Sequence, residues 1–102
     1  KIRRIIMIKV SIKQKQIIIK GHANYDELGK DIVCASVSSM VITTVNAILR
    51  IDNDAIKYSD NNGVTIDIIK DDEITNKLIN NLIDLLEELE KQYPKYIEIR
   101  RC

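Results

Sequence analysis

Residues 32–50 read IVCASVSSMVITTVNAILR, and the fold turns on whether they form a strand or a helix. Their β-branched side chains favour a strand, but a run this long without a turn signal exceeds an ordinary one. Val33, Val37, Met40, Val41, Thr44 and Ile48 recur at helical spacing. The spacing therefore predicts a largely buried helix. Asp31, just after Gly29 and Lys30, is its expected N-cap.

Upstream, residues 7–13 (MIKVSIK) alternate, with Ile8, Val10 and Ile12 on one side and Lys9, Ser11 and Lys13 on the other. Gln14 to Gln16 link this run to a second one, IIIK at 17–20, which predicts an antiparallel hairpin. Downstream, residues 55–59 and 64–69 flank Asp60-Asn61-Asn62-Gly63, and Asn-Gly signals a tight turn because both residues tolerate positive φ. Residues 73–92 form the clearest helix, with Ile74, Leu78, Leu82, Leu85, Leu86 and Leu89 as its apolar stripe. Asp72 caps it and Pro94 stops it, before a last strand over 96–100.

The order is ββαββαβ: a single-domain α+β sandwich with a mostly antiparallel sheet and two helices. Polar residues at alternate strand positions predict one solvated sheet face. The apolar runs at 5–8 and 17–19 point instead to a sheet covered on both sides, or to a dimer. Residues 1–6, KIRRII, are read as an N-terminal extension or tag remnant, because Met7 opens the first alternating run. Residues 7–102 form the domain.

The chain has 102 residues, 45% apolar and 30% charged, as in ordinary globular domains. Sixteen basic and fifteen acidic side chains leave a net charge of +1, which is no footprint for nucleic-acid binding. No apolar run approaches the ~18–20 residues of a membrane span, and the N-terminus lacks a secretory signal's cleavage site. Two cysteines, one of them terminal, make a disulfide framework unexpected and suit the reducing cytoplasm. One histidine and two cysteines fall short of a zinc site, so no metal is expected.

The chemistry gathers in residues 21–34, GHANYDELGKDIVC. His22 leaves the second strand, 23–30 form a polar loop, and Cys34 falls in the first turn of the predicted helix. A helix start carries partial positive charge and unpaired N–H donors, both of which favour thiolate over thiol. An adjacent imidazole would take the proton, and the N–H groups would hold an oxyanion. Yet a cysteine in an apolar helix is usually a small hydrophobe, and a histidine after a strand-end glycine is usually a polar loop residue. Spacing alone leaves both readings open. Asp31 is accounted for by capping, Gly29 by the turn into the helix, and Ser38 by packing or back-bonding.

The string Gly21-His22-Ala23, followed by Gly29-x-Asp31-Ile32-Val33-Cys34-Ala35-x-Val37-Ser38, closely resembles the signature of the ribosomal-processing cysteine proteases, the Prp family. The element order and the length from Met7 onward resemble that family too. The resemblance implies a cysteine endopeptidase that removes the N-terminal extension of a large-subunit ribosomal protein, the one at the peptidyl-transferase centre. The cut it implies lies between an aromatic residue and alanine. It further implies Cys34 as nucleophile, His22 as general base and acid, a homodimer, and no cofactor. Asp31 and Ser38 fall on motif positions as possible supporting residues.

The loop after His22, with Ala23, Asn24, Tyr25 and Gly29, is the candidate substrate cover. The alternative reading is a non-catalytic ribosome-assembly or RNA-binding factor, although the near-neutral charge stands against it. A thiol-redox module is a third, but no Cys-x-x-Cys occurs and Cys102 reads as a tail thiol. The expected partner is a ribosomal protein precursor, with neither membrane nor direct nucleic-acid contact.

Overall fold

The computed structural model describes residues 7–21 and 28–102. The strands and helices run β1 (Ile8–Lys13), β2 (Gln16–Lys20), α1 (Leu28–Ile51), β3 (Ile56–Ser59), β4 (Val64–Ile68), α2 (Glu73–Gln92) and β5 (Ile97–Arg101). This is the predicted ββαββαβ order. The five strands form one sheet in the order β3-β4-β2-β1-β5. All neighbouring pairs are antiparallel except β1 and β5, which are parallel.

Alternation decides the layers. Ile8, Val10, Ile12, Ile17, Ile19, Ile66 and Ile97 are buried towards the helices. Lys9, Lys13, Lys20 and Lys57 stand exposed on the opposite face. Ile18, half-buried there, is the trace of the apolar run that suggested a covered sheet. Both helices lie on the buried side. Val33, Val37, Val41, Val45 and Ile48 of α1, and Ile79, Leu82, Ile83, Leu86 and Leu89 of α2, complete the core. Burying each such side chain is worth about 1.5–3 kcal/mol.

The structure corrects three expectations. First, α1 begins at Leu28, so Asp31 lies inside it and is not its N-cap. Leu28 and Lys30 are good helix formers, and a helical glycine at 29 costs only about 1 kcal/mol, which one extra turn can absorb. Second, the α2 stripe is rotated: Ile79 and Ile83 are buried, whereas Ile74 is 53% and Leu85 40% exposed. Isoleucines outside the leucine repeat set the packed face. Third, Ile32–Ile51 is long and apolar enough to cross a membrane by length and composition. The scattered serines, threonines and asparagine hide this from a run count, and its valine stripe packs on the sheet.

Ends and edges are chemically finished. The Asp72 carboxylate accepts from Thr75 N–H at 2.8 Å and caps α2 as expected, and the Tyr93 N–H donates to Leu89 O at 2.9 Å at the other end. After α1, the Asp52 carboxylate accepts from Lys70 Nζ at 2.7 Å and from Asp54 N–H at 3.0 Å. The hydrogen bond from Lys70 holds Asp52 below its ordinary value of 3.8. On the β5 edge, Glu90 accepts from Ile99 N–H at 2.9 Å and Glu87 from Arg101 Nη2 at 2.6 Å. Carboxylates of α2 thus occupy an edge that would otherwise invite pairing.

Two glycines lie at one end of the sheet. Asn62 (φ 56) and Gly63 (φ 103) make the β3–β4 turn, as the Asn-Gly signal predicts. Gly21 (φ 96) takes the chain out of β2, and a Cβ there would run into the carbonyl oxygen of Met7. Gly21→Ala is expected to cost about 1–3 kcal/mol from the strained φ alone, read as a lower urea midpoint. An unchanged midpoint would show that this exit can relax.

Candidate active site

Cys34 sits on α1, one residue beyond the buried Val33 and three before the buried Val37. Successive helical residues are rotated by about 100°, which carries Cys34 to the margin of the packed stripe, and it is half-buried. Ser38, one turn on, takes the same side and is exposed. Both line a cavity of about 230 Å³ between α1 and the end of the sheet. Its floor is aliphatic, from Ile8, Ile19, Val37, Val41 and Val64. Lys20, Tyr58 and Asp60 add polar groups. Pockets for drug-sized ligands run to roughly 300–1,000 Å³, so this cavity suits one or two side chains of a larger partner.

Topology brings these residues together. Ile19 pairs with Val64 and Ile8 with Ile97, so the start of β1, the end of β2 and the β3–β4 turn share one end of the sheet. Gly21 leaves β2 there, directly ahead of His22. His22, Ala23, Asn24 and Tyr25 themselves lie outside the described residues, as does the 1–6 extension. Gly29 and Asp31 belong to α1, so the polar loop expected over 23–30 stops short of Leu28.

The earlier helix start changes the electrostatic reading. Unpaired N–H groups belong to the first four helical residues, and the field of the helix end falls off within that turn. Cys34 lies in the second turn of α1. Its own N–H therefore belongs to the helical ladder, and the helix start is not the oxyanion site anticipated from a helix beginning at Ile32. Ser38 is the described hydroxyl on the same wall of the cavity.

Lys20, Ile42, Tyr58 and Asp60 had no motif to mark them. Tyr58 shares a face with the buried Ile56, but alternation alone does not bring it to Cys34. Cys102 is exposed at the far end: its N–H donates to Ile12 O at 2.9 Å. Ile8 lines the Cys34 cavity, and four residues of strand separate it from Ile12, about 13 Å. A disulfide needs Cα atoms within about 7 Å, so the two cysteines are not placed as a redox pair. Among the described residues no cluster of His, Cys, Asp or Glu is arranged to hold a metal.

Comparison with known proteins supplies the family. Residues 7–98 match the family model for the cysteine protease Prp. The ribosomal processing cysteine protease Prp of Staphylococcus aureus is 30% identical over 93 residues, covering 85% of this chain and 86% of its own. Its namesake from Mycoplasma genitalium is 38% identical over 55 residues, covering 54% of this chain and 52% of its own. Among solved structures, an essential ribosomal processing protease Prp from S. aureus in complex with a substrate peptide superposes with a TM-score of 0.82 at 20% identity, covering 95% of this chain and 99% of that one. A Streptococcus mutans protein gives a TM-score of 0.80 at 23% identity, covering 95% and 93%. These structures share the fold, and the sequence match is the stronger bond: this chain belongs to the Prp family of cysteine proteases.

Proposed function

We propose that this chain is a cysteine endopeptidase with Cys34 as nucleophile and His22 as general base and acid. Its substrate is the precursor of a large-subunit ribosomal protein, the one at the peptidyl-transferase centre, whose N-terminal extension it removes in the cytoplasm. The observation that carries this reading is the aliphatic cavity opening beside Cys34, in a chain of a cysteine protease family. Such a cavity suits the aromatic side chain of an aromatic–alanine cut. The S. aureus structure holding a substrate peptide supports the same use of this fold.

The chemistry follows from the residue types. His22 takes the Cys34 proton, and the thiolate attacks the scissile carbonyl carbon to form a C–S bond. The imidazolium protonates the leaving amine as the C–N bond breaks. His22 then takes a proton from water, whose oxygen attacks the thioester. The C–S bond breaks, the carboxylate product leaves, and the proton returns to the dyad. Ser38, on the same wall, offers its hydroxyl to the tetrahedral oxyanion. No step calls on a metal or organic cofactor.

Asp31 takes a different role from the one capping suggested. The helix begins before it, so it is not the N-cap, and we propose that it orients the His22 imidazole. Ala23, Asn24 and Tyr25 form the substrate cover ahead of α1. We also place a homodimer contact on the outer side of α1. From Ile32 to Leu49 the helix carries no charged residue, and Leu85 of α2 beside it is 40% exposed. Ala35, Ser39, Met40 and Thr43 line an uncharged groove with Asn81 and Leu85 of α2.

Mass spectrometry of a peptide spanning an extended ribosomal-protein N-terminus should show one cut. Cys34→Ala should abolish it and His22→Ala slow it by about 10²–10⁴-fold. An uncut peptide with folded enzyme would leave the non-catalytic assembly-factor reading. Asp31→Asn should lower kcat by roughly 10–10⁴-fold and shift the pH–rate profile at an unchanged melting temperature. A lowered melting temperature with kcat intact would return Asp31 to a structural role. Light scattering should find a dimer that Thr43→Lys converts to monomer; a dimer indifferent to that charge would place the contact elsewhere.

A further inference from the structure

The net charge of +1 conceals a separation of charge between the two faces of the molecule. On the open sheet face, Lys9, Lys13, Lys20, Lys57 and Arg100 point to solvent and are exposed. The anions on that face are Glu98 and Asp67. Glu98 is engaged by Arg100 Nε at 3.4 Å, and Asp67 accepts from Gln16 Nε2 at 2.8 Å. Across the molecule, α2 carries Glu73, Asp84, Glu87, Glu88 and Glu90 against Lys77 and Lys91. The basic side chains are therefore gathered on the sheet and the acidic ones on the helix.

One register detail makes the basic face more than a solvated surface. Lys9 and Lys20 are direct cross-strand partners on β1 and β2, while on its other side Lys9 faces Glu98 of β5, and Lys57 faces Asp67 of β4. Like charges placed directly opposite destabilise a sheet. Among the described residues neither lysine makes an ion pair, and nor does Lys13 or Lys57. Neighbouring strands are about 4.8 Å apart and same-face residues about 6.8 Å apart along a strand. Lys9 and Lys13 are thus about 13 Å apart along β1, with Arg100 opposite the intervening Ser11, and the cations form a broken line that a chain of phosphates can follow, each lysine acting as a point charge.

We infer that the open sheet face is a docking surface for the phosphate backbone of RNA. Among the described residues the face carries no aromatic side chain, Tyr58 being on the Ile56 side of β3, so bases are not stacked, and binding is electrostatic and indifferent to sequence. Half-buried Ile18 is the large apolar side chain there, which gives too little to insert into a lipid surface. The inference does not rest on the proteolytic reading, because Lys9, Lys13, Lys57 and Arg100 do not line the Cys34 cavity; of the five cations Lys20 alone borders both. Net charge averages the two faces, which is why composition gave no sign of this one.

The test is fluorescence anisotropy of a labelled oligouridylate titrated with the full chain over a series of salt concentrations. Contacts from Lys9, Lys13, Lys20 and Arg100 give an expected slope of log K against log salt of about −2.8. Lys9→Gln/Lys13→Gln should reduce the slope by about 1.4. Lys77→Gln/Lys91→Gln on α2 removes the same charge and should leave the slope unchanged. Circular dichroism melts of both variants establish that they are folded. Absence of binding at low salt, or equal weakening by the two double variants, overturns the inference. So does salt-dependent self-association of the protein without RNA binding, which would assign the basic face to the acidic helix of a second copy.

Discussion

The valine stripe of α1 against the sheet is the constraint on which the site depends. Val33, Val37 and Val41 are buried where the helix crosses the end of the sheet, and their packing leaves α1 little freedom to rotate or slide. Cys34 and Ser38 each follow a stripe residue, so the locked face sets both at its margin, lining one cavity. A reactive group needs this intermediate position. Full burial would exclude a peptide, and full exposure would leave no wall to bind one. A site built on a packed helix is also held more exactly than one built on a loop.

Strand topology supplies the other half of the cavity. Because β4 lies between β3 and β2, the β3–β4 hairpin is brought beside the end of β2. Tyr58 and Asp60 thereby join Ile19 and Lys20 around the thiol. Gly21 and Gly63 both take positive φ at this end, and each backbone passes close to a neighbouring strand. The close approach lets the chain leave β2 without opening the sheet. The same connectivity sends Cys102 to the opposite end, which separates the two thiols.

Charge follows the layers. The helices face their buried side chains towards the sheet and show solvent an acidic α2 and an α1 uncharged from Ile32 to Leu49, while the sheet shows solvent a basic face. Composition reports the sum of these faces, whereas a partner meets one of them at a time. At physiological ionic strength charges farther apart than about 8 Å are largely screened from one another. The local arrangement, and not the total, therefore governs what can dock.

Much of this was legible in the residues themselves. Period-two alternation marked β1 and β4, Asn62-Gly63 marked the tight turn, and Asp72 and Pro94 bounded α2, because each is a local backbone preference that acts within a few residues. The Gly-His-Ala and Asp-Ile-Val-Cys strings carried the family, since a motif is local too. The start of α1, the phase of the α2 stripe and the walls around Cys34 were not legible. Asp31 reads as a cap in isolation, but an extra turn carries the helix past it. Leu85 reads as core, but Ile79 and Ile83 take the packed face. Tyr58 and Asp60 are distant from Cys34 along the chain, and only the strand order brings them to it. Local propensities decide which elements form; which faces are buried, and which distant side chains meet, is decided by packing between elements, where the larger burial energy lies.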